Sequence, residues 1–192
     1  MLLRPVSVLP PEPFEGAGIY AIYYVGKFPA YKQIADKNIN NQFTQPVYVG
    51  KAIPNGGRKG RGLDLPHGPA LYQRLKHHAE SIKQAKNLNI KDFHCRYLVV
   101  DDIWIPLGES LLVQMFQPIW NKVIDGFGIK TPGKNRIQAR SQWDTIHPGR
   151  TFVSKLNLLP NPASEKEILA NLISFLAGGP AKTIEDDDTT AE

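Results

Sequence analysis

At 192 residues the chain is long enough for one domain with a sizeable core and appended arms. With 42% hydrophobic and 21% charged residues, and no apolar stretch near the roughly 20 residues a bilayer crossing needs, it reads as a soluble globular protein. Cys95 is the only cysteine, which excludes an intramolecular disulfide and a C-x-x-C zinc site. Prolines at 5, 10, 11 and 13 break the layout of a secretory signal, so a cytoplasmic location is expected.

Gly18 to Val25, rich in Tyr, Ile and Val, is the first strand candidate. Ala30 to Lys37 reads as a short helix followed by a polar run, and Pro46 to Val49 as a second strand. Residues 53–69 are punctuated by glycine and proline and form a basic loop at Arg58, Lys59 and Arg61. A helix then runs from about Pro69 to Ala85, with Pro69 suited to its first turn. Phe93 to Val100 is a third strand, and Leu107 to Phe116 is a helix stopped by Pro118. After Asn121 comes a glycine-rich basic stretch that looks like a loop, and a last amphipathic helix spans about Ser164 to Leu176. The fold class is mixed α/β, of the α+β kind: a small central three-stranded sheet, mixed or antiparallel, flanked by helices.

The formal net charge of +5 understates how basic the folded part is. Residues 179–192 carry one basic and five acidic side chains and have the makeup of a disordered tail, which leaves +9 for residues 1–178. Residues 51–96 hold ten Lys/Arg against three Asp/Glu, and residues 121–150 hold six against two. Clustered positive charge is the footprint of a phosphate-binding surface, although many basic surfaces merely solubilise.

On the 69–85 helix, Leu71, Leu75, Ala79 and Ile82 define the buried stripe at about 100° per residue. Arg74 and His78 fall one turn apart at its edge, and His77 points to the opposite side. Taken alone, Arg74 reads as a snorkelling side chain and His78 as a core-edge histidine. On the 107–116 helix, Glu109 shares a face with Leu112, Val113 and Phe116. A carboxylate there is costly unless paired, capped by the helix N-terminus, or bound to a metal.

Gly18-Ile19-Tyr20, Tyr48-Val49-Gly50, Arg74, His78, Glu109 and Asn121, in that order, resemble the GIY-YIG nuclease superfamily. Four stretches narrow the likeness: residues 16–24, Tyr48 to Ala52, Trp120 to Gly128, and Trp143-Asp144-Thr145-Ile146-His147-Pro148-Gly149-Arg150. Together they resemble the small Type II restriction endonucleases of that superfamily that cut CCGCGG, over roughly residues 10–150. The 28 residues from Tyr20 to Tyr48 exceed a tight hairpin, so residues 27–45 are expected to be an inserted arm.

The resemblance implies a catalytic set of Tyr20, Tyr48, Arg74, His78, Glu109 and Asn121. Phosphodiester hydrolysis needs an activated water, charge compensation on the phosphoryl oxygens, and help for the leaving 3′ oxygen. Glu109 would hold one divalent cation, Mg²⁺ by its preference for hard oxygen ligands. Arg74 would clamp the scissile phosphate with its planar fork. Tyr20 would take or relay the water's proton, a role that asks for a lowered pKa, or His78 would be the base with Tyr20 positioning it. Tyr48 would hydrogen-bond within the site, and Asn121 would orient a ligand or close the pocket. Tyr23 and Tyr24 read as sheet packing.

DNA contacts are expected from Lys51, Arg58, Lys59, Arg61, Lys130, Lys134, Arg136 and Arg140. All of these but Lys51 are candidates to read guanine in the major groove, or they simply hold phosphate. A palindromic target with one metal site per subunit implies a homodimer on double-stranded DNA, and a cognate DNA methyltransferase as functional partner. A non-catalytic or nonspecific DNA-binding relative of the same scaffold is the alternative.

Overall fold

Four strands, β1 (Ser7–Val8), β2 (Gly18–Tyr24), β3 (Pro46–Ala52) and β4 (Phe93–Val99), form one antiparallel sheet in the order β1, β4, β2, β3. The computed structural model describes residues 4–53, 68–129 and 139–181. The expected three strands are all present; β1 is a two-residue addition at the β4 edge, too short to leave an alternating pattern in the sequence.

Every residue of β2 is buried, because both faces of this central strand are covered. On one face Tyr20, Ile22 and Tyr24 enter the main core. On the other, Ile19, Ala21 and Tyr23 pack with Leu112 and Val113 of the helix that follows β4. Tyr23 and Tyr24 do serve packing: Tyr24 accepts a hydrogen bond from the Phe28 amide at 2.8 Å, and the Arg96 guanidinium lies over the Tyr23 ring.

Among the described residues seven helices surround the sheet: α1 (Lys32–Asp36), α2 (Ala70–Gln84), α3 (Ile105–Phe116), α4 (Ile119–Lys122), α5 (Gln142–Ile146), α6 (Thr151–Lys155) and α7 (Glu165–Leu176). Leu71, Leu75, Ala79 and Ile82 of α2 are fully buried, as their spacing predicts. Helix α3 begins two residues before the expected Leu107, with Pro106 in its first turn, and ends where Gln117 takes a left-handed conformation ahead of Pro118. Ser164 and Glu167 form a reciprocal capping box at the start of α7. Helices α4, α5 and α6 have four or five residues each, less than the length over which a helical period becomes visible.

The segment 27–45, expected to be an inserted arm, is folded. A 3₁₀ turn (Pro29–Tyr31) leads into α1, where a helix over Ala30–Lys37 was expected. Buried Asn38 ties the arm's two ends: its Nδ2 donates to the carbonyls of Tyr24 (3.0 Å) and Gln45 (2.8 Å), and its Oδ1 accepts from the Gln45 amide (2.9 Å). Most of the basic loop (54–67), the basic part of the glycine-rich stretch (130–138) and most of the acidic tail (182–192) lie outside the described residues. Among those described, no helix is long and apolar enough to cross a membrane.

The arm is anchored through Tyr31. Its fully buried hydroxyl lies 2.6 Å from Nε2 of His147 and accepts from Trp120 Nε1 at 2.9 Å. Asn87 donates its Nδ2 to the Ile146 carbonyl, which leaves its Oδ1 to accept from His147 Nδ1 at 2.9 Å. His147 is therefore neutral, with its proton on Nδ1 and Nε2 accepting from Tyr31. Burial, then the nearby Arg150 charge, lowers its pKa to about 3.

Below the ordinary histidine value of about 6.5 only the unfolded chain takes up this proton, so stability should fall by about 1.4 kcal/mol per pH unit from there toward 3. Urea denaturation at pH 7 and pH 5 should show a smaller pH-dependent loss for His147→Gln than for the wild type. Equal losses in the two proteins would remove His147 as the source.

Candidate active site

In the β2–β3 ladder Tyr20 lies opposite Gly50 and Ile22 opposite Tyr48, so the two motif tyrosines sit diagonally on one face of the sheet. A Cβ at Gly50 would stand 2.4 Å from the Tyr20 hydroxyl oxygen, so only glycine admits that hydroxyl. Gly18 is constrained from the other neighbour: its Cβ would meet the Leu98 carbonyl at 2.0 Å. Each tripeptide therefore needs its glycine for a stated contact.

Helix α2 lies across this face. Its apolar stripe fixes its rotation, and that rotation points His78 and Arg74 at the tyrosines. The Tyr20 hydroxyl and His78 Nε2 are 2.6 Å apart, and both residues are buried. The Tyr48 ring lies 6.1 Å from that of Tyr20 and 5.2 Å from that of His78. Arg74 donates through Nη2 to the Gly128 carbonyl at 3.0 Å. His77 is exposed on the far side of the helix, as expected.

Burial is the main reason the Tyr20 hydroxyl is held well above the usual tyrosine value near 10. The neighbouring Tyr48 adds to the rise, and the Arg74 charge opposes it without winning. Tyr48 is raised in the same way, by burial first, with Arg74 again pulling down and Glu109 pushing up. Within the protein itself the Arg74 charge therefore does not bring the Tyr20 hydroxyl below its usual value, and burial keeps the phenol protonated.

Glu109 stands on α3 beside the strand that carries Tyr48. Its Oε2 is 2.7 Å from Lys51 Nζ, and both side chains are partly exposed. Lys51, expected on the DNA surface, is paired with the candidate metal ligand. A carboxylate that is reachable from solvent and already holds a cation suits a hard divalent ion completed by water and phosphate oxygens. Among the described residues no three His, Cys, Asp or Glu side chains converge on one point, so Glu109 would supply the protein's share of such a site from among them.

Asn121 spends both ends of its amide on one residue of β3: Oδ1 accepts from the Val49 amide and Nδ2 donates to the Val49 carbonyl, both at 2.8 Å. It fixes the strand between Tyr48 and Gly50 rather than facing a ligand. Of the residues expected to contact DNA, Arg58, Lys59, Arg61, Lys130, Lys134 and Arg136 lie outside the described residues. Arg140 is exposed, with its backbone tied to Leu159 and Asn161.

Two neighbours of the site were not singled out from the sequence. The Phe127 ring stacks on His78 at 4.6 Å and 17°, and the Gly128 carbonyl takes the Arg74 donor. Their signal was an aromatic residue between two glycines at 126–128, within a stretch already set apart by its likeness to restriction enzymes.

One sheet face, one helix and the two edges of a short turn thus gather Tyr20, Tyr48, Arg74 and His78 around a common space, with the Glu109 carboxylate close enough for its charge to act on both tyrosines. No curated protein matches the chain significantly. The family described as the Eco29kI GIY-YIG domain matches residues 12–176, a span that contains all six candidate catalytic residues. With that match over most of its length, the chain belongs to the Eco29kI family of GIY-YIG restriction endonucleases.

Proposed function

We propose that this protein is a Type II restriction endonuclease that hydrolyses double-stranded DNA at a palindromic GC-rich site, CCGCGG by its likeness. The reading adds one Mg²⁺ per active site, action as a homodimer in the cytoplasm, and a cognate methyltransferase to protect host DNA. The observation that carries it is the 2.6 Å contact between the Tyr20 hydroxyl and His78 Nε2, in a pocket shared with Arg74 and bordered by Glu109.

Because burial keeps Tyr20 un-ionised, it does not begin as a free base. As the attacking water bonds to phosphorus, its proton passes to the Tyr20 oxygen while the phenolic proton passes to His78 Nε2, so the pair acts as one base. Arg74 keeps one N–H on Gly128 and turns the rest of its fork toward the phosphoryl oxygens. A divalent cation at Glu109 would offset charge on the phosphoryl and leaving oxygens. Phe127 and the two tyrosine rings keep bulk water out of the space where the proton moves.

The dimer is supported by the outer side of α3. Ile103 and Trp104 just before the helix, and Leu107, Leu111 and Met115 along it, are each more than half exposed. They make an apolar row on the order of 500 Å². The one charged residue of α3, Glu109, is engaged with Lys51, so nothing on the outer side favours phosphate. A stable two-copy interface takes about 800 Å² per partner, for which such a row would form the apolar centre.

Incubation with plasmid DNA and Mg²⁺ should yield discrete fragments whose termini report target and cut position. Binding without cleavage by the wild type would reject the catalytic reading, and smearing would reject the specific one. Glu109→Ala should abolish fragment formation while duplex binding in gel shifts stays within about threefold, since only the metal ligand is lost. Tyr20→Phe and His78→Ala should each lower the single-turnover rate by about 10²- to 10⁴-fold, and the double variant should lose little more. Multiplicative losses would rule out a shared proton path. In sedimentation the wild type should run as a dimer, and the double variant Leu111→Lys/Met115→Lys as a folded monomer. A dimer that survives both charges would place the interface elsewhere.

A further inference from the structure

The run Trp143 to Arg150, which helped to set the sequence apart, carries none of the chemistry described so far. Its last residue is a fully buried arginine, and all five of its N–H groups are engaged. Nε and Nη2 each lie 2.6 Å from a carboxylate oxygen of buried Asp144. Nη2 also donates to the Gly126 carbonyl at 2.8 Å, and Nη1 to the carbonyls of Phe127 (3.2 Å) and Ile129 (3.0 Å). The guanidinium lies over the rings of Trp143 and Phe152, at 4.6 and 4.8 Å.

Three of the four carbonyls of Gly126–Ile129 thus turn toward one cation. The fourth, Gly128, accepts from Arg74. The segment lies between two arginines, one that shapes it and one that it aims. Its aromatic residue is the one stacked on His78, and the same ring meets Tyr48 edge-on at 5.0 Å. A buried ion pair is weak support for stability, since apolar replacements of similar volume are often neutral or better. What this pair supplies is geometry: only the planar fork of arginine reaches one carboxylate and three carbonyls at once.

We propose that Arg150, locked by Asp144, is a positioning residue for cleavage, shaping Gly126–Ile129 so that the Gly128 carbonyl aims Arg74 and the Phe127 ring backs His78. The consequence for cleavage rests on the nuclease reading, whereas the placement of Phe127 on His78 does not. Lysine at 150 keeps the charge opposite Asp144 and loses the fork.

For Arg150→Lys, single-turnover cleavage with saturating enzyme should fall by about 100-fold, the scale of a small misplacement at a reacting centre, with DNA affinity within about threefold. In an Arg74→Ala background the same change should cost less than about tenfold, because part of its effect runs through Arg74. Equal fold-losses in the two backgrounds would overturn the proposal. A second measurement is independent of activity: the His78 ring protons, shifted upfield by the stacked Phe127 in the wild type, should move downfield in Arg150→Lys. Unchanged His78 resonances would overturn it whether or not the protein cuts DNA. If Arg150→Lys does not fold, Asp144→Asn keeps an acceptor for the fork without the charge, and should show the same pattern in both measurements at smaller amplitude.

Discussion

A tyrosine hydroxyl sealed against a histidine nitrogen, 2.6 Å apart between a sheet and the helix above it, is the constraint around which this structure is arranged. Two polar groups taken out of water are tolerable only as partners, so strand β2 and helix α2 must keep one separation and one rotation. The glycine opposite Tyr20, the aromatic lid of Phe127, and the tie of β3 to Asn121 all serve that separation. The energetic outcome is a pair of tyrosine hydroxyls that burial keeps protonated. The nearby ionised groups, Arg74 and Glu109, act on them through charge.

The core strands and the long helices are legible in the sequence because each runs long enough to show its period. The same holds for the α2 stripe, which places Arg74 and His78 one turn apart before any coordinates are known. The catalytic candidates rest on the family resemblance instead: singly, Arg74, His78 and Glu109 have ordinary structural readings, and only the order of all six residues sets them apart. What the sequence hides is whatever is done by the backbone. The carbonyls of Gly126, Phe127 and Ile129 have no identity in the letters of the chain, so an arginine twenty residues away gives no sign that it gathers them. Lys51 is hidden in another way, since a lysine beside a tyrosine motif in a basic protein suggests phosphate before it suggests a carboxylate on a helix 58 residues later.

Two networks of buried polar groups brace the site from outside it. Tyr31, His147, Asn87 and Trp120 join the inserted arm to the end of α2, while Arg150 and Asp144 join α5 to the turn over the pocket. They meet at the run 143–150, whose Trp143 amide donates to Asp125 and whose Pro148 carbonyl accepts from Lys86 just past α2. The arm and the run 143–150 thus both reach the C-terminal end of α2, at Asn87 and Lys86, while the turn over the pocket reaches Arg74 nearer its start. The long spacing between the two tyrosine motifs supplies one of those braces.

The pairing of Asn121 with Val49 has a consequence for the sheet as a whole. Strand β3 is an edge strand, and an edge offers a row of unpaired amides and carbonyls on which a foreign strand can form. One asparagine side chain, presenting an acceptor and a donor at peptide-like spacing, stands in for a single residue of a fifth strand. It closes the edge between Tyr48 and Gly50, where an added strand would crowd the pocket. A side chain that the resemblance assigns to the catalytic set is thus spent on capping a strand edge.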